Sequence, residues 1–281
     1  MRTLLLAAAA ALAAPLALLG QPLMAQDQGA NAALASVLAH DRRDADRARD
    51  RWRNPAETLA FFQVEPGMTV VDYMPSSGWY SRVLIPYVGP DGRYIGLNPA
   101  IPSAATGFMA NMRDTAEKLP GQAREWVGEG GAPVIGANTD TVPEELHGTA
   151  DRFLIFREVH NMRRLGWLHD TLVTARRLLK DDGMVGIVQH RAKADAPAEY
   201  TLGDKGYQRE KDVINLLDAY GFDLVGQSEI NANPNDPANW PDGVWTLPPG
   251  YRGAAEDAAR RAELDAIGES DRMTLLFRKR A

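Results

Sequence analysis

The sequence predicts an α/β protein with a mostly parallel sheet and helices on both faces. Three observations predict it. Short apolar, β-branched runs such as Met68-Thr69-Val70-Val71-Asp72-Tyr73 recur along the chain, separated by turns and by stretches with helical spacing. Residues 68–97 alone make a strand–turn–helix–turn–strand unit, the building block of a parallel sheet. The 281 residues, 45% hydrophobic and 24% charged, can bury a sizeable core without covalent staples.

The first 25 residues, MRTLLLAAAAALAAPLALLGQPLMA, follow the plan of a cleaved secretory leader: Arg2, an apolar run, then Leu23-Met24-Ala25. Pro15, Gly20 and the shortness of the run argue against a membrane anchor. The expectation is a periplasmic or secreted protein with no stable membrane span after cleavage. The chain has no cysteine, which excludes a lipid-anchored lipoprotein, disulfides, a thiolate metal site and a cysteine nucleophile. The net charge is −6, and one unit more negative once Arg2 is removed, a poor balance for binding nucleic acid.

Residues 26–39 are expected as a flexible segment and 40–281 as the folded domain. Helical spacing runs over 33–53. The basic residues of 41–53 alternate with Asp41, Asp44, Asp46 and Asp50, the pattern of a solvated helix laced with ion pairs. Asn54-Pro55-Ala56-Glu57 restarts a helix, with Asn54 as its cap. Strands follow at 68–73 and 93–97, with a helix from about Trp79 to Val88 between them. A helix over 103–119 leads to a strand at 132–137, and Asp151–Phe156 is a fourth. Met162–Lys180 has one apolar face and predicts a single helix, stopped by Asp181-Asp182-Gly183. Strands at 184–188, 222–230 and 272–279, with a helix over 208–219, complete seven strands. Two irregular insertions remain, 191–207 and 231–252. The second holds five prolines and two tryptophans, and is either a lid or a packed surface loop.

Ligands of parallel α/β sheets bind beyond the carboxyl ends of the strands. Three stretches fall there. The first is Asp72–Tyr80, an acid at a strand end followed by a turn and a helix start, which suits an adenosine-type ligand. The fuller pattern places glycines two, four and six residues after the acid. Here those positions are Met74, Ser76 and Gly78. Ser76 and Ser77 are small enough for close approach if their φ angles stay negative. Asp72, Tyr73, Pro75, Ser76, Ser77, Gly78, Trp79 and Tyr80 are the candidate contacts. Next, Asn98 stands where an acid would grip ribose hydroxyls; it bonds them without charge assistance. The third stretch, Arg157-Glu158-Val159-His160-Asn161, is either a functional cluster with His160 as base or a local Arg157–Glu158 pair. The histidines show no metal-binding spacing, and neither a serine-hydrolase elbow nor a Walker phosphate loop is present.

With these motifs and the Leu178-Leu179-Lys180-Asp181-Asp182-Gly183 step, the chain resembles class I S-adenosylmethionine-dependent methyltransferases, whose fold is Rossmann-like. It is similar to a group of exported bacterial proteins predicted to be methyltransferases. The matching pieces are DRARDRWRNPAETLAFF (46–62), VVDYMPSSGWYSRVLIPYV (70–88), FREVHN (156–161), SEINANPNDPANWPDGVWTLPP (228–249) and AIGESDRMTLLF (266–277). The group usually carries a glycine triplet where this chain has Ser76-Ser77-Gly78. The resemblance implies a seven-stranded sheet with an antiparallel last strand, and S-adenosylmethionine bound by the strand-end residues above and Arg157. It implies a small-molecule or envelope-derived methyl acceptor, His160 or Glu158 as base, and a substrate loop carrying Asn231, Asn233, Trp240 and Trp245. The substituted turn and the export leader keep a second reading open: a noncatalytic binding protein for a nucleoside, lipid or envelope ligand on the same fold. A third is a structural envelope protein that uses 231–252 as an interaction surface.

Overall fold

The structure, a computed structural model, describes residues 21–281; residues 1–20 of the expected leader lie outside the described residues. The chain starts with α1 (Gln21–Ala39), which runs through the expected cleavage point and the segment 26–39. Leu34 anchors α1 in the core, with Val37 and Leu38 packed beside it.

Instead of one helix over 33–53, the chain breaks after α1 into a 3-10 turn and two short helices, α2 (Asp44–Arg47) and α3 (Asp50–Arg53). The break has a physical cause. Arg43 is fully buried and closes a forked pair on Asp50, at 2.9 and 2.7 Å. Asp46 is buried and takes a fork from Arg82, at 2.6 and 2.8 Å. The expected solvated helix is therefore a folded-in cluster, because each buried charge requires a partner from another turn of chain. Asn54 lies in the left-handed region and does not cap α4 (Pro55–Phe61); its side chain donates to Ile230 O at 2.7 Å.

The sheet then builds: β1 (Thr69–Tyr73), α5 (Ser81–Val88), β2 (Arg93–Asn98), α6 (Gly107–Val127), β3 (Val134–Asn138) and β4 (Ala150–Phe156). The helix expected over 162–180 is two, α7 (Val159–Arg164) and α8 (Leu168–Leu178). Gly166, at φ 76°, turns the chain between them. β5 (Leu179–His190) starts at once, with a register shift opposite Ala150 and Arg152. α9 (Glu210–Ala219), β6 (Phe222–Ser228), α10 (Ala258–Ile267) and β7 (Arg272–Lys279) follow.

The seven strands lie in the order β3-β2-β1-β4-β5-β7-β6. β1 to β5 pair in parallel, and the last strand, β7, runs antiparallel to both β5 and β6. The period-2 alternation of β1 splits the core. Val71 and Tyr73 face a layer with α8 and α9, while Val70 faces α4 and α5. Gly136 shows how tightly α6 covers the sheet: a Cβ there would stand 1.8 Å from Ala116 O.

The insertion 231–252 is packed, not loose. Asn231 donates to Thr58 Oγ1 at 2.9 Å and Thr274 Oγ1 at 3.0 Å. Asn233 donates to Ile267 O and Glu269 O at 2.8 and 2.7 Å. Asp236 is fully buried and accepts four bonds: Tyr207 Oη and Asp271 N at 2.8 Å, Ala238 N and Trp240 Nε1 at 2.9 Å. One carboxylate thus fastens both insertions to the start of β7. Asp236→Ala leaves these donors unmatched and is expected to lower the unfolding free energy by about 3 kcal/mol or more in urea titration. A loss below about 1 kcal/mol would show that the loop is held by other means.

Candidate active site

β1, β2 and β4 end side by side, and their carboxyl ends open on a two-lobed cleft. The first lobe, about 350 Å³, is lined by Asn98 at the end of β2, by Asn111, Met112 and Thr115 of α6, and by Leu165 and Trp167. The second, about 370 Å³, is lined by Arg49, Arg53, Arg157, His160, His190, Trp245, Glu269 and Ser270, among others. Met74, Ser76, Glu158 and Asn161 border both lobes.

The turn after β1 has an unusual backbone. Met74, Ser76 and Gly78 all lie in the left-handed region, at φ 54°, 52° and 77°. These are the three positions where the fuller pattern has glycine, so the condition of a negative φ is not met at Ser76. The glycine-shaped turn is kept on two residues that favour it poorly. It is held by Met74 N–H bonding to Leu97 O at 2.8 Å and Gly78 N–H to Pro75 O at 2.9 Å. Gly78 itself is required: a Cβ there would lie 2.5 Å from the Trp126 ring.

At the end of β2, Asn98 is buried and its Nδ2 has no hydrogen-bond partner. A buried donor without an acceptor is costly, and this one borders the first lobe. A ligand hydroxyl or ring nitrogen would satisfy it. The left-handed turn and this orphaned donor fit an adenosine-type group.

Asp72 is buried on the α5 face of β1 and accepts from Tyr94 Oη at 2.7 Å; Tyr94 Oη lies 2.8 Å from Ser81 Oγ of α5. Burial pushes the Asp72 carboxyl up to about 7, against the pull of Tyr94 and Arg157. Glu158 is also raised to about 7 by burial, although Asn161 donates to it at 2.6 Å and Arg157 and Arg164 oppose the shift. Burial, with Arg164 and Arg157 nearby, lowers His160 to about 4. Burial and the neighbouring His160 hold His190 well below its usual range. The two imidazoles, 5.5 Å apart between ring centres, are therefore neutral at neutral pH. His190 Nδ1 lies 2.5 Å from Ser270 Oγ.

The second lobe carries a cationic plate absent from the sequence-based site. Glu269 receives Arg49 Nε at 2.6 Å, Arg53 Nε at 3.2 Å and Arg272 Nη1 at 3.0 Å. Burial alone would raise Glu269, but Arg272, Arg53, Arg49 and Arg157 outweigh it and hold the group at about 2. Trp79 is wedged between Arg43 and Arg53, 5.0 and 4.7 Å from its ring centre. Tyr80 stacks on Phe156.

Most of the expected site residues meet here. Asp72, Pro75, Ser76, Ser77, Trp79, Tyr80, Arg157, Glu158, His160 and Trp245 line the second lobe, and Asn98 the first. Tyr73 does not: its hydroxyl bonds Thr171 at 3.1 Å and its ring packs on Phe153, in the core below the sheet. Gly78 shapes the turn without lining the cleft. Asn231, Asn233 and Trp240 fasten the insertion and lie away from both lobes; of that loop, Val244, Trp245 and Leu247–Gly250 form the wall. Arg157 and Glu158 make no ion pair with each other. Arg49, Arg53, His190, Glu269 and Ser270 escaped the sequence reading. The arginines and the Glu269-Ser270 pair sit inside two of the long motifs, 46–62 and 266–277, which converge on the cleft.

No protein-family model matches this sequence, and no curated protein does. Solved structures do match its fold. The cyclase SpnF is 13% identical, covers 86% of both chains and gives a TM-score of 0.55. A chain from the complex of the Haloferax volcanii Trm112 methyltransferase activator with a candidate methyltransferase is 17% identical. It covers 90% of this chain and 98% of its own, with a TM-score of 0.50. A SAM-dependent methyltransferase from Aquifex aeolicus is 18% identical over 70% of this chain and 93% of its own, with a TM-score of 0.49. The fold is the Rossmann-like class I methyltransferase fold. Since a protein named as a cyclase shares it, function has to be argued from the site.

The raised Asp72 has a defined consequence. Between its ordinary value of 3.8 and about 7, the unfolded chain releases this proton and the folded chain keeps it. The group's contribution to stability therefore falls as pH rises through that window and is level above it. Asp72→Asn removes the fall. The unfolding free energy of the variant minus that of the wild type is expected to grow from pH 4 to pH 7. A difference independent of pH would mean that Asp72 is not raised.

Proposed function

We propose that this chain is an S-adenosylmethionine-dependent methyltransferase, exported by residues 1–25 and acting on a small-molecule or envelope-derived acceptor. The observation that carries the reading is the cradle itself: left-handed backbone at 74, 76 and 78 beside the unsatisfied Nδ2 of Asn98. Backbone strain of this kind persists where a site requires it. Within the cradle, Ser76 and Ser77 would approach the nucleoside with their backbone, and Asn98 would donate to a ribose hydroxyl.

S-adenosylmethionine, when bound, supplies a methyl group already activated by its sulfonium charge. What remains for the chain is to align an acceptor, exclude water and take up a proton. Glu158 stands at the junction of the lobes with its carboxyl near 7, so it changes protonation at neutral pH and suits the role of base. His160 is neutral, and its Nδ1 stands 3.5 Å from Gln189 Nε2. This leaves Nε2 to orient an acceptor hydroxyl or amine. Trp245 and the Leu247–Gly250 wall line the acceptor side. A titrating carboxyl at the cleft favours an enzyme over a passive binding protein.

Calorimetric titration with S-adenosylhomocysteine is expected to give a Kd in the micromolar range, about −8 kcal/mol. Asn98→Ala, which removes one hydrogen bond, should weaken it by about tenfold. Absence of heat at 1 mM ligand, with the protein folded by circular dichroism, would contradict the reading.

A further inference from the structure

Among the described residues, Arg157 is a cation of the cleft whose side chain has no protein partner. Arg49 and Arg53 are committed to Glu269, Arg82 to Asp46, and Arg164 Nε to Asn161 Oδ1 at 2.7 Å. Among the described residues, the Arg157 side chain takes part in no ion pair or hydrogen bond, yet it lines the second lobe. Its backbone is bent to put it there: φ is 65°, while its N–H keeps the sheet bond to Val188 O at 2.7 Å. A left-handed arginine at a strand end is a cost that an ordinary surface cation does not carry.

Its surroundings select a ligand. Arg157 lines the lobe with Asp72, Glu158, His160, His190 and Glu269, and its charge acts on all five. Two of those neighbours are neutral imidazoles, and Glu269 is already matched by three arginines. Flat groups line the lobe: Trp245, Pro248 and Pro249 from the insertion, and the stacked pair Tyr80 and Phe156. A guanidinium with free donors recognises the paired oxygens of a carboxylate or phosphate in two-point fashion.

We propose that Arg157 receives an anionic oxyacid group, carboxylate or phosphate, on a small flat methyl acceptor held in the second lobe. This rests on the methyltransferase reading for the word acceptor; the anion site itself does not. The site is tested by calorimetry with 4-hydroxybenzoate, phenyl phosphate and the uncharged 4-hydroxybenzamide, each with and without S-adenosylhomocysteine. At least one acid should bind ten times more tightly than the amide, and the stronger of the two identifies the oxyacid. Arg157→Gln should abolish that preference, with Arg157→Lys recovering part of it. Equal binding of acid and amide, or no acid binding at millimolar concentration, would overturn the proposal. So would an Arg157→Gln variant that loses S-adenosylhomocysteine tenfold but keeps 5′-methylthioadenosine, which lacks the amino-acid portion; Arg157 would then hold the cofactor's own carboxylate. Because the acid titrations run without nucleoside, they decide the matter even if S-adenosylhomocysteine fails to bind.

Discussion

The left-handed backbone at Met74, Ser76 and Gly78 is the constraint on which the rest of the site depends. For a residue with a Cβ this conformation costs about 1–2 kcal/mol. The turn endures because it is fastened at several points. Met74 extends the pairing of β1 with β2 through its bond to Leu97 O, Gly78 is pressed against Trp126, and Arg82 holds Ser77 O at 2.8 Å. Arg82 in turn is forked to Asp46. The folded-in segment before β1 therefore holds the turn, and the turn sets the boundary between the two lobes.

The same segment determines the electrostatics. Arg49 and Arg53 come from near the start of the domain, and Glu269 and Arg272 from near its end. Their convergence fills one wall with positive charge. Burial, with Arg164 and Arg157 nearby, keeps His160 neutral; burial, His160 and then Arg272, Arg157 and Arg53 do the same for His190, while burial keeps Asp72 and Glu158 near 7. A cleft so arranged has few fixed negative charges and two carboxyls, Asp72 and Glu158, that exchange protons close to neutrality. That arrangement is what the proposed acid–base chemistry on an anionic acceptor would need.

Much of this architecture is legible in the sequence, for reasons that differ by element. The antiparallel last strand is implied only by the family resemblance, whereas Val70-Val71 and Phe153-Leu154-Ile155 are the buried strands that their short apolar, β-branched runs suggest. The strand ends locate the cleft for the same reason. What stayed hidden is tertiary. The alternating charges of 41–53 look solvated because their partners, Arg82 and Glu269, are distant in sequence. Gly166 splits an amphipathic stretch whose apolar spacing runs on across the break. Tyr73 alternates to the core face, and Asn231 and Asn233 turn into the body of the protein, where the resemblance implies a substrate loop. The φ angle of Ser76 follows from the turn's anchoring, which composition does not encode.

The central claim is that the turn keeps glycine's shape at positions 74 and 76 under strain. The unfolding free energy of the double variant Met74→Gly, Ser76→Gly tests it most directly. Relief of left-handed strain, less the entropy that glycine adds to the unfolded chain, should raise stability by about 1 kcal/mol in urea. A fall of about 1 kcal/mol, the ordinary effect of placing glycine where φ is negative, would contradict the account.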